Sequence, residues 1–294
     1  NSNNTINFEN SNYFQETNLY SAVAEYTGKW GNTNNTVRVA YVHQNEPRSS
    51  GGADFPLVDI KEGNNIITTF GYEPFTYGNL RDVKTLTAYW DGAYSFGNHE
   101  FTYGAQYETS TTKNGFQRFG AGYYLFDSWD DFKNGNKASN YALTFPLTPD
   151  GSQAFPSFRF DQMSFFLQDQ FSVNSKLKLM GGIRFELPTF PNVSALKTHP
   201  LVEQLTFADG LRINTGATPK TRLMVSPRIG FNYDALGDRS LIFRGGTGIF
   251  TGRIPFVWIV AQSGDAGMLQ SSQIYTGNKV PDFDPNIKAN YPTP

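Results

Sequence analysis

The chain has 294 residues, and its formal net charge of −2 at pH 7 gives no support for an electrostatic grip on nucleic acid. It contains no cysteine, which excludes a disulfide framework, a thiolate metal site and a cysteine nucleophile. Aromatic residues make up 16% of the chain, and no apolar run approaches the ~20 residues of a membrane helix. This composition favours strands and turns over helices.

Four hairpins are predicted, because apolar and polar residues alternate on both sides of a short turn in each. Their predicted ranges are residues 14–44, 82–109, 158–187 and 221–253. In the first hairpin a Gly-Asn turn pairs Trp30 with Thr33, and in the second a Gly-Asn turn pairs Phe96 with His99. Both registers place the apolar residues of the two strands on one face.

The third hairpin carries charge on its polar face, where Arg184 and Glu186 alternate with apolar neighbours. Its incoming strand is less regular, because Asp169 shares a face with the apolar residues. The alternation offers no account of this carboxylate.

The fourth hairpin places arginines in the middle of two apolar runs. A three-residue loop at positions 235–237, ending in glycine, is predicted to pair Asp234 with Asp238. In that register Arg228 lies opposite Arg244, on the face away from the apolar residues.

The connections between the hairpins are long, at roughly 30 to 50 residues against a usual ~4–6. They cover residues 45–81, 110–157, 188–220 and 254–294. Short turns at one end and long loops at the other are typical of outer-membrane barrels. Residues 64–72 and 139–147 are predicted to add one or two strands to the wall, and residues 254–261 to be the outer end of a strand. The alternative is a large soluble antiparallel sheet, but no long stretch has the apolar period of a covering helix.

Two motifs in the second half resemble consecutive hairpins of TonB-dependent outer-membrane transporters. FFLQDQFSVNSKLKLMGGIRFE is similar to a hairpin with the pattern L-x-L-x-x-G-x-R-x-E, and SPRIGFNYDALGDRSLIFRGGTGIF to one with SPR-x-G-x-x-Y-D followed by R-G-G-x-G-x-F. The matching residues are Asp169, Leu179, Gly182, Arg184, Glu186, Ser226, Pro227, Arg228, Gly230, Tyr233, Asp234, Arg244, Gly245, Gly246, Gly248 and Phe250. The resemblance is nearest to the Oar-like branch of Bacteroidota, whose members bear a carboxypeptidase-regulatory domain.

The resemblance implies an all-β, antiparallel transmembrane barrel of about 22 strands closed by a plug domain. This chain would supply about eight to ten of those strands, as an internal part of the wall without the plug. The implied function is import of a bulky nutrient (a peptide, glycan or chelate) across the bacterial outer membrane with energy from the inner membrane. The implied partners are membrane lipid, the plug, the remaining strands, the TonB coupling protein and a surface lipoprotein.

Two other functions remain open from the sequence. One is an outer-membrane adhesin or structural barrel without transport, and the other is an extracellular glycan-binding β-protein. An enzyme is not expected, because no Ser-His-Asp, metal or phosphate-loop arrangement stands out. No cofactor is expected either.

Candidate functional residues fall into three groups. The resemblance places Arg184, Glu186, Arg228 and Arg244 on the lumenal face, where they either contact a plug or keep the lumen polar. Aromatic side chains in residues 115–136 either stack on a ligand or form the loop's own core. They are Phe116, Phe119, Tyr123, Tyr124, Phe126 and Trp129. The oxygens of Asp282, Asp284 and Asn286 suggest calcium only weakly, since the glycine and distal glutamate of a calcium loop are missing.

Overall fold

The computed structural model describes residues 5–192 and 196–291, and most of the regular structure in these residues is strand. The strands are β1 (Ile6–Asn7), β2 (Tyr13–Gln15), β3 (Asn18–Trp30), β4 (Thr33–Ser50), β5 (Leu57–Glu62), β6 (Asn65–Phe70), β7 (Leu80–Phe96), β8 (His99–Gly115), β9 (Tyr123–Phe126), β10 (Asn140–Pro146), β11 (Ser157–Ser172), β12 (Leu177–Asn192), β13 (Met224–Asp234), β14 (Ile242–Gly248) and β15 (Gln270–Thr276). The helices are α1 (Trp129–Lys133), α2 (Pro200–Glu203) and α3 (Phe256–Gly264). None of the helices in the described residues is long and apolar enough to cross a membrane.

Nine strands form one antiparallel sheet, which we call the wall. At one edge β2 and β3 pair with successive stretches of β4, and β7, β8, β11, β12, β13 and β14 follow in that order. The strands of the four predicted hairpins thus lie side by side in chain order. Within the described residues the wall is an open sheet, with β3 at one edge and β14 at the other.

The registers predicted for the first two hairpins are confirmed, with Trp30 paired to Thr33 and Phe96 paired to His99. Pairing carries the apolar alternation from strand to strand, so that one face of the whole wall is apolar. Its exposed members include Val39, Tyr41, Leu86, Met163, Phe165, Leu167, Leu179, Val225, Ile229 and Phe231. A sheet that leaves so many large apolar side chains uncovered on one face is suited to lipid rather than to water.

The register predicted for the fourth hairpin is wrong by four residues. Arg228 pairs with Gly248, and Arg244 pairs with Asn232. The turn is longer than predicted, because the carboxylate of Asp234 accepts hydrogen bonds from the backbone N–H groups of Gly237 (2.8 Å) and Arg239 (3.0 Å). An even shift leaves every side chain on its predicted face, so both arginines still lie on the polar face.

The wall strands are longer than a membrane requires, since β4 has 18 residues and β7 and β8 have 17 each, against ~9–11 for a tilted transmembrane strand. Aromatic side chains gather on the apolar face at the end with the short turns, as an interfacial girdle does. They are Tyr26, Trp30, Tyr94, Phe96, Phe101, Phe171, Tyr233 and Phe243. The surplus length of the strands therefore extends beyond the opposite membrane surface.

The long connections build a second sheet at that opposite end, with strand order β1-β6-β5-β9-β10-β15. We call it the outer sheet. Residues 64–72 and 139–147 do form strands, β6 and β10, but these belong to the outer sheet and add nothing to the wall. The prediction that they extend the wall was wrong, because β6 pairs with β5 and β1, and β10 pairs with β9 and β15, none of which is a wall strand.

The outer sheet has its own apolar core. Buried residues of this core are Val58, Ile60, Tyr124, Phe126, Ala138, Tyr141, Leu143, Phe145 and Val280. Phe283 covers it from the C-terminal segment, with its ring 5.1 Å from Tyr124 and 5.4 Å from Phe132 of α1. The connections are therefore packed structure rather than free loops.

Candidate functional site

The polar face of the wall carries charged side chains in pairs. Arg184 Nε lies 3.1 Å from Glu186 Oε1, and Arg81 donates to both carboxylate oxygens of Glu46 at 2.7 and 2.8 Å. A third pair joins Arg38 to Glu25 at 2.6 Å. One face of the sheet thus carries apolar side chains and the other carries paired charges. This is the arrangement of a barrel wall around an aqueous lumen.

Arg228 and Arg244 differ from these, because neither lies within ion-pair distance of a carboxylate in residues 5–192 and 196–291. Around them the polar face is lined by glycines instead of side chains, namely Gly182, Gly230, Gly246 and Gly248. A Cβ added at Gly246 would meet the backbone oxygen of Ile229 at 2.7 Å, so the glycine is required by the close pairing of the strands. The result is a shallow, positively charged strip of wall.

After β14 the chain turns back across the polar face, as a segment of residues 249–264 that we call the strap. Ile249 N donates to Pro227 O at 2.9 Å, and Arg253 reaches Glu108 on β8 at 2.8 Å. The strap ends in α3, whose Ile259 and Val260 pack on Phe158. The prediction that residues 254–261 end a strand was wrong.

The helical signal in the strap was present but short. Phe256, Ile259 and Val260 have the spacing of one helical face, directly after a proline. The residues between them leave the helix apolar on its other side too, with Val257 60% and Trp258 65% exposed. Because the segment is apolar on all sides, its sequence lacks the one-sided pattern of a surface helix and favours a strand instead.

The strap separates two cavities on the polar face. The larger, which we call the mouth cavity, has a volume of about 530 Å³ and lies between α3, the outer sheet and the ends of β4, β7 and β8. Side-chain amides of Gln15, Asn79 and Asn114 line it, and the stacked rings of Phe75 and Phe116 lie at one side with centroids 5.9 Å apart. Burial raises the pKa of Asp265, which also lines this cavity.

The smaller cavity lies under the strap, has a volume of about 270 Å³, and is called the strap cavity here. Charged side chains that line it are Arg184, Glu186, Lys220 and Arg253. Uncharged side chains that line it are Gln106, Phe160, Gln162, Pro188, Phe190, Pro219, Met224, Thr251 and Ile254. Three cations line this space against one carboxylate, and Glu108 pairs with Arg253 from outside the lining, so the net charge around the cavity is positive.

The structure separates the six aromatic ligand candidates into different roles. Tyr124 and Phe126 are each 1% exposed in the core of the outer sheet, so neither is available to stack on a ligand. Tyr123 donates to Asp59 at 3.0 Å, and burial together with this carboxylate raises the pKa of Tyr123. Its ring stacks on Phe119. Trp129 packs on Phe132 of the outer core, which leaves Phe116 as the one of the six that lines the mouth cavity.

The oxygens of the weak calcium candidate serve in local bonds. Asp284 accepts from the N–H of Asn286 at 2.8 Å, Asn286 accepts from the N–H of Lys288 at 3.1 Å, and Asp282 faces Lys137 at 3.7 Å. In the described part of the chain no group of three or more His, Asp or Glu side chains is arranged to hold a metal ion.

Asp169, which the alternation did not explain, has a partner on the neighbouring strand. Its Oδ2 lies 2.7 Å from His99 Nδ1, and the imidazole is stacked on Phe171 at 4.5 Å and next to Phe101 at 5.6 Å. The pair lies at the turn end of the apolar face, among the girdle aromatics. Sequence reasoning missed it because the two residues are 70 positions apart.

These features define the class of protein, an antiparallel barrel wall of the bacterial outer membrane. The chain belongs to the outer membrane beta-barrel domain family, whose model matches residues 1–294. The short turns therefore face the periplasm, the outer sheet lies outside the cell, and the polar face is lumenal.

Among solved structures, the chain is similar to the outer membrane transporter YddB from Escherichia coli. The TM-score is 0.51 at 13% identity, over 83% of this chain and 27% of that one, so the likeness is one of fold. A search of curated proteins found no match.

Proposed function

We propose that the chain is part of the wall of a TonB-dependent transporter that imports a bulky nutrient across the outer membrane. Two motifs that resemble consecutive hairpins of such transporters support the proposal, and so does the fold of the outer membrane transporter YddB. The observation that carries it is the mouth cavity, which combines amide and charged groups with stacked aromatic rings at the extracellular end of a polar lumen. Such a combination is suited to capture of a ligand.

The wall would surround a plug in this function, and the unpaired arginines indicate where the plug would lie. Arg228 and Arg244 extend into the lumen from a strip of glycines, where another backbone can approach closely. We propose that acidic side chains of the plug pair with them, whereas Arg184 is already paired with Glu186 within the wall. The same proposal includes four further points. The wall would be completed by other strands, energised by the TonB coupling protein, assisted by a surface lipoprotein, and assigned to the Oar-like branch.

Uptake measurements test the transport function. Cells with and without the protein would receive fluorescent pools of peptides and of oligosaccharides, and internal label would be measured within minutes, with and without a protonophore. We expect protein-dependent uptake that the protonophore abolishes. Surface binding that persists with the protonophore, without internal label, would show an adhesin instead.

The arginine strip makes a separate prediction. In Arg228→Gln/Arg244→Gln we expect slower uptake and faster hydrogen exchange in the plug, because two of its anchoring charges are gone. Arg212→Gln/Arg222→Gln is the matched control, since it removes the same charge from exposed extracellular positions. Unchanged uptake and exchange in the first variant would restrict Arg228 and Arg244 to keeping the lumen polar.

An enzymatic role is not part of the proposal, and no cofactor is required for transport through this wall. A purely structural barrel is the second candidate. The outer sheet favours this second candidate, because it covers the extracellular end of the wall. It has its own core, and three of the connections contribute strands to it.

A further inference from the structure

The strap cavity has an excess of positive charge that the wall does not neutralise. Glu186 Oε1 accepts from Arg184 at 3.1 Å and from Gln162 at 2.9 Å, so this carboxylate offsets the charge of Arg184 and leaves that of Lys220. Arg253 is paired with Glu108, whose side chain is 11% exposed. Lys220 has no carboxylate within 4 Å in the described residues. The cavity is therefore prepared for one further negative charge.

The cations have donors to spare for that charge. Arg184 uses only its Nε toward Glu186, which leaves the two terminal nitrogens of the guanidinium for another acceptor. Charge-assisted hydrogen bonds from such donors are stronger than neutral ones, and the strap keeps part of this space from bulk water.

Next to the charges lies an apolar surface formed by Phe190, Pro188 and Met224. Phe160 lies behind it, 2% exposed, with its ring centroid 5.4 Å from that of Phe190. The guanidinium of Arg253 lies 5.0 Å from the centre of the Phe160 ring, which fixes the position of that ring. An occupant that satisfies both parts of the cavity bears a negative charge and an apolar group side by side.

Two side-chain amides complete the lining. Gln106 makes no side-chain hydrogen bond to the residues described, and Gln162 contributes only its Nε2 to its neighbours. A free amide that can both donate and accept is complementary to a peptide bond. At about 270 Å³ the space accepts one terminal residue and not a whole bulky ligand.

We propose that the strap cavity binds the C-terminal residue of a peptide. The terminal carboxylate meets Lys220 and Arg184, the apolar side chain lies on Phe190, Pro188 and Met224, and the last peptide bond faces Gln106. The inference rests on the proposed function and narrows its substrate class to peptides with an apolar C-terminal residue.

The test is a calorimetric titration of the protein purified from outer membranes in detergent. The probes are the tripeptide acetyl-Gly-Gly-Leu, the same tripeptide with a C-terminal amide, and acetyl-Gly-Gly-Asp. We expect acetyl-Gly-Gly-Leu with a free carboxylate to bind about tenfold more tightly than its C-terminal amide. The amide has no negative charge with which to accept a charge-assisted hydrogen bond. We expect weaker binding of the aspartate peptide, which places a second charge on the apolar lining. Equal binding of leucine acid and amide would overturn the proposal.

Lys220→Gln is the variant of choice, because Lys220 is exposed in a connection and its loss leaves no carboxylate unpaired. It should remove the preference for acid over amide, whereas Lys178→Gln, which removes another lumenal charge outside the cavity, should keep it. A preference that survives in Lys220→Gln contradicts the assignment. An absence of peptide binding also contradicts it. In that case, protection of the cavity from hydrogen exchange would show that a segment of the protein itself occupies it.

Binding in detergent needs no energy coupling, so the two hypotheses fail in different ways. Uptake that depends on the proton gradient, without a preference for the carboxylate, would overturn only the peptide assignment. Carboxylate-dependent binding without uptake would overturn only the transport function.

Discussion

Gly104 on β8 shows how tightly single residues of the wall are determined. A Cβ at this position would meet the backbone oxygen of Trp90 at 2.4 Å and the ring of Phe166 at 2.6 Å. The ring of Phe166 in turn lies 6.2 Å from that of Tyr89, with the two stacked across the lumenal face. The ring of Phe166 therefore occupies the volume that a side chain at position 104 would need.

We expect Gly104→Ala to destabilise the barrel by about 1–3 kcal/mol, the usual effect of overpacking a filled site. Gly181→Ala is the control, because a Cβ there meets nothing within 4 Å. The temperature at which the folded form loses its compact gel migration measures the effect. Equal temperatures for the two variants would show that Phe166 moves aside at no cost.

Three tyrosines, two in the outer sheet and one in the C-terminal segment packed on it, give a prediction about pH. Burial, as the largest cause, raises the pKa of Tyr123, Tyr141 and Tyr291 above the usual 10.0. A pKa that is higher in the folded state means that the neutral phenol is favoured there. The associated stability is complete below pH 10 and is lost as the pH rises further.

We therefore expect the outer sheet to become less stable under alkaline conditions, with late ionisation of these phenols. Absorbance at 295 nm follows ionisation, and protease cleavage of residues 45–81 follows opening of the sheet. Simultaneous ionisation of all tyrosines near pH 10 with the sheet intact would refute the prediction.

At the scale of elements, the fourth hairpin separates what alternation determines from what it leaves free. Alternation fixed the face of Arg228 and Arg244, because neighbouring residues point to opposite sides. It left the register free, because a shift of four residues keeps every face unchanged. The register was decided by the Asp234 carboxylate in the turn, a contact with no periodicity in the sequence.

Cysteine pairs test this register in a chain that has no cysteine of its own. Asn232 and Arg244 are directly paired, in a position between the hydrogen-bonded pairs, where Cα atoms lie about 4.5 Å apart. Asn232→Cys/Arg244→Cys should form a disulfide under mild oxidation. Arg228→Cys/Arg244→Cys, the pair of the predicted register, should not, since four residues add about 14 Å. Cross-linking only in the second variant would restore the predicted register.

At the scale of the molecule, the wall could be predicted from the sequence and the outer sheet could not. The wall pairs neighbours in the chain across short turns, which local patterns reveal. Apart from the local hairpin of β5 and β6, the outer sheet joins segments that are far apart in the chain, as in the contact between Thr144 and Ser272, 128 positions away. The strap and both cavities depend on the return of residues 249–264 across the wall. For the same reason they could not be predicted from the sequence, in which only the short apolar spacing of α3 points to them.

Phe283 tests the independence of the two sheets. Its ring contacts those of Phe55, Tyr124, Phe126 and Phe132, so Phe283→Ala should lower the stability of the outer sheet by about 3 kcal/mol. Faster hydrogen exchange in β5, β9 and β10 with unchanged exchange in β7 and β8 is the expected result. Trp258→Ala, which removes an exposed ring, is the control. Equal loss of protection in the wall would show that the two sheets unfold together.

The order of strands in the outer sheet also fixes a sequence of events during biogenesis. Its last member, β15, docks on β10, and the chain between them contains the third and fourth hairpins together with the strap. The sheet is therefore complete only when β15, which follows those hairpins and the strap in the chain, returns to β10. Until β15 arrives, the free edge of the outer sheet is that of β10, whose buried apolar residues are then left uncovered on that side.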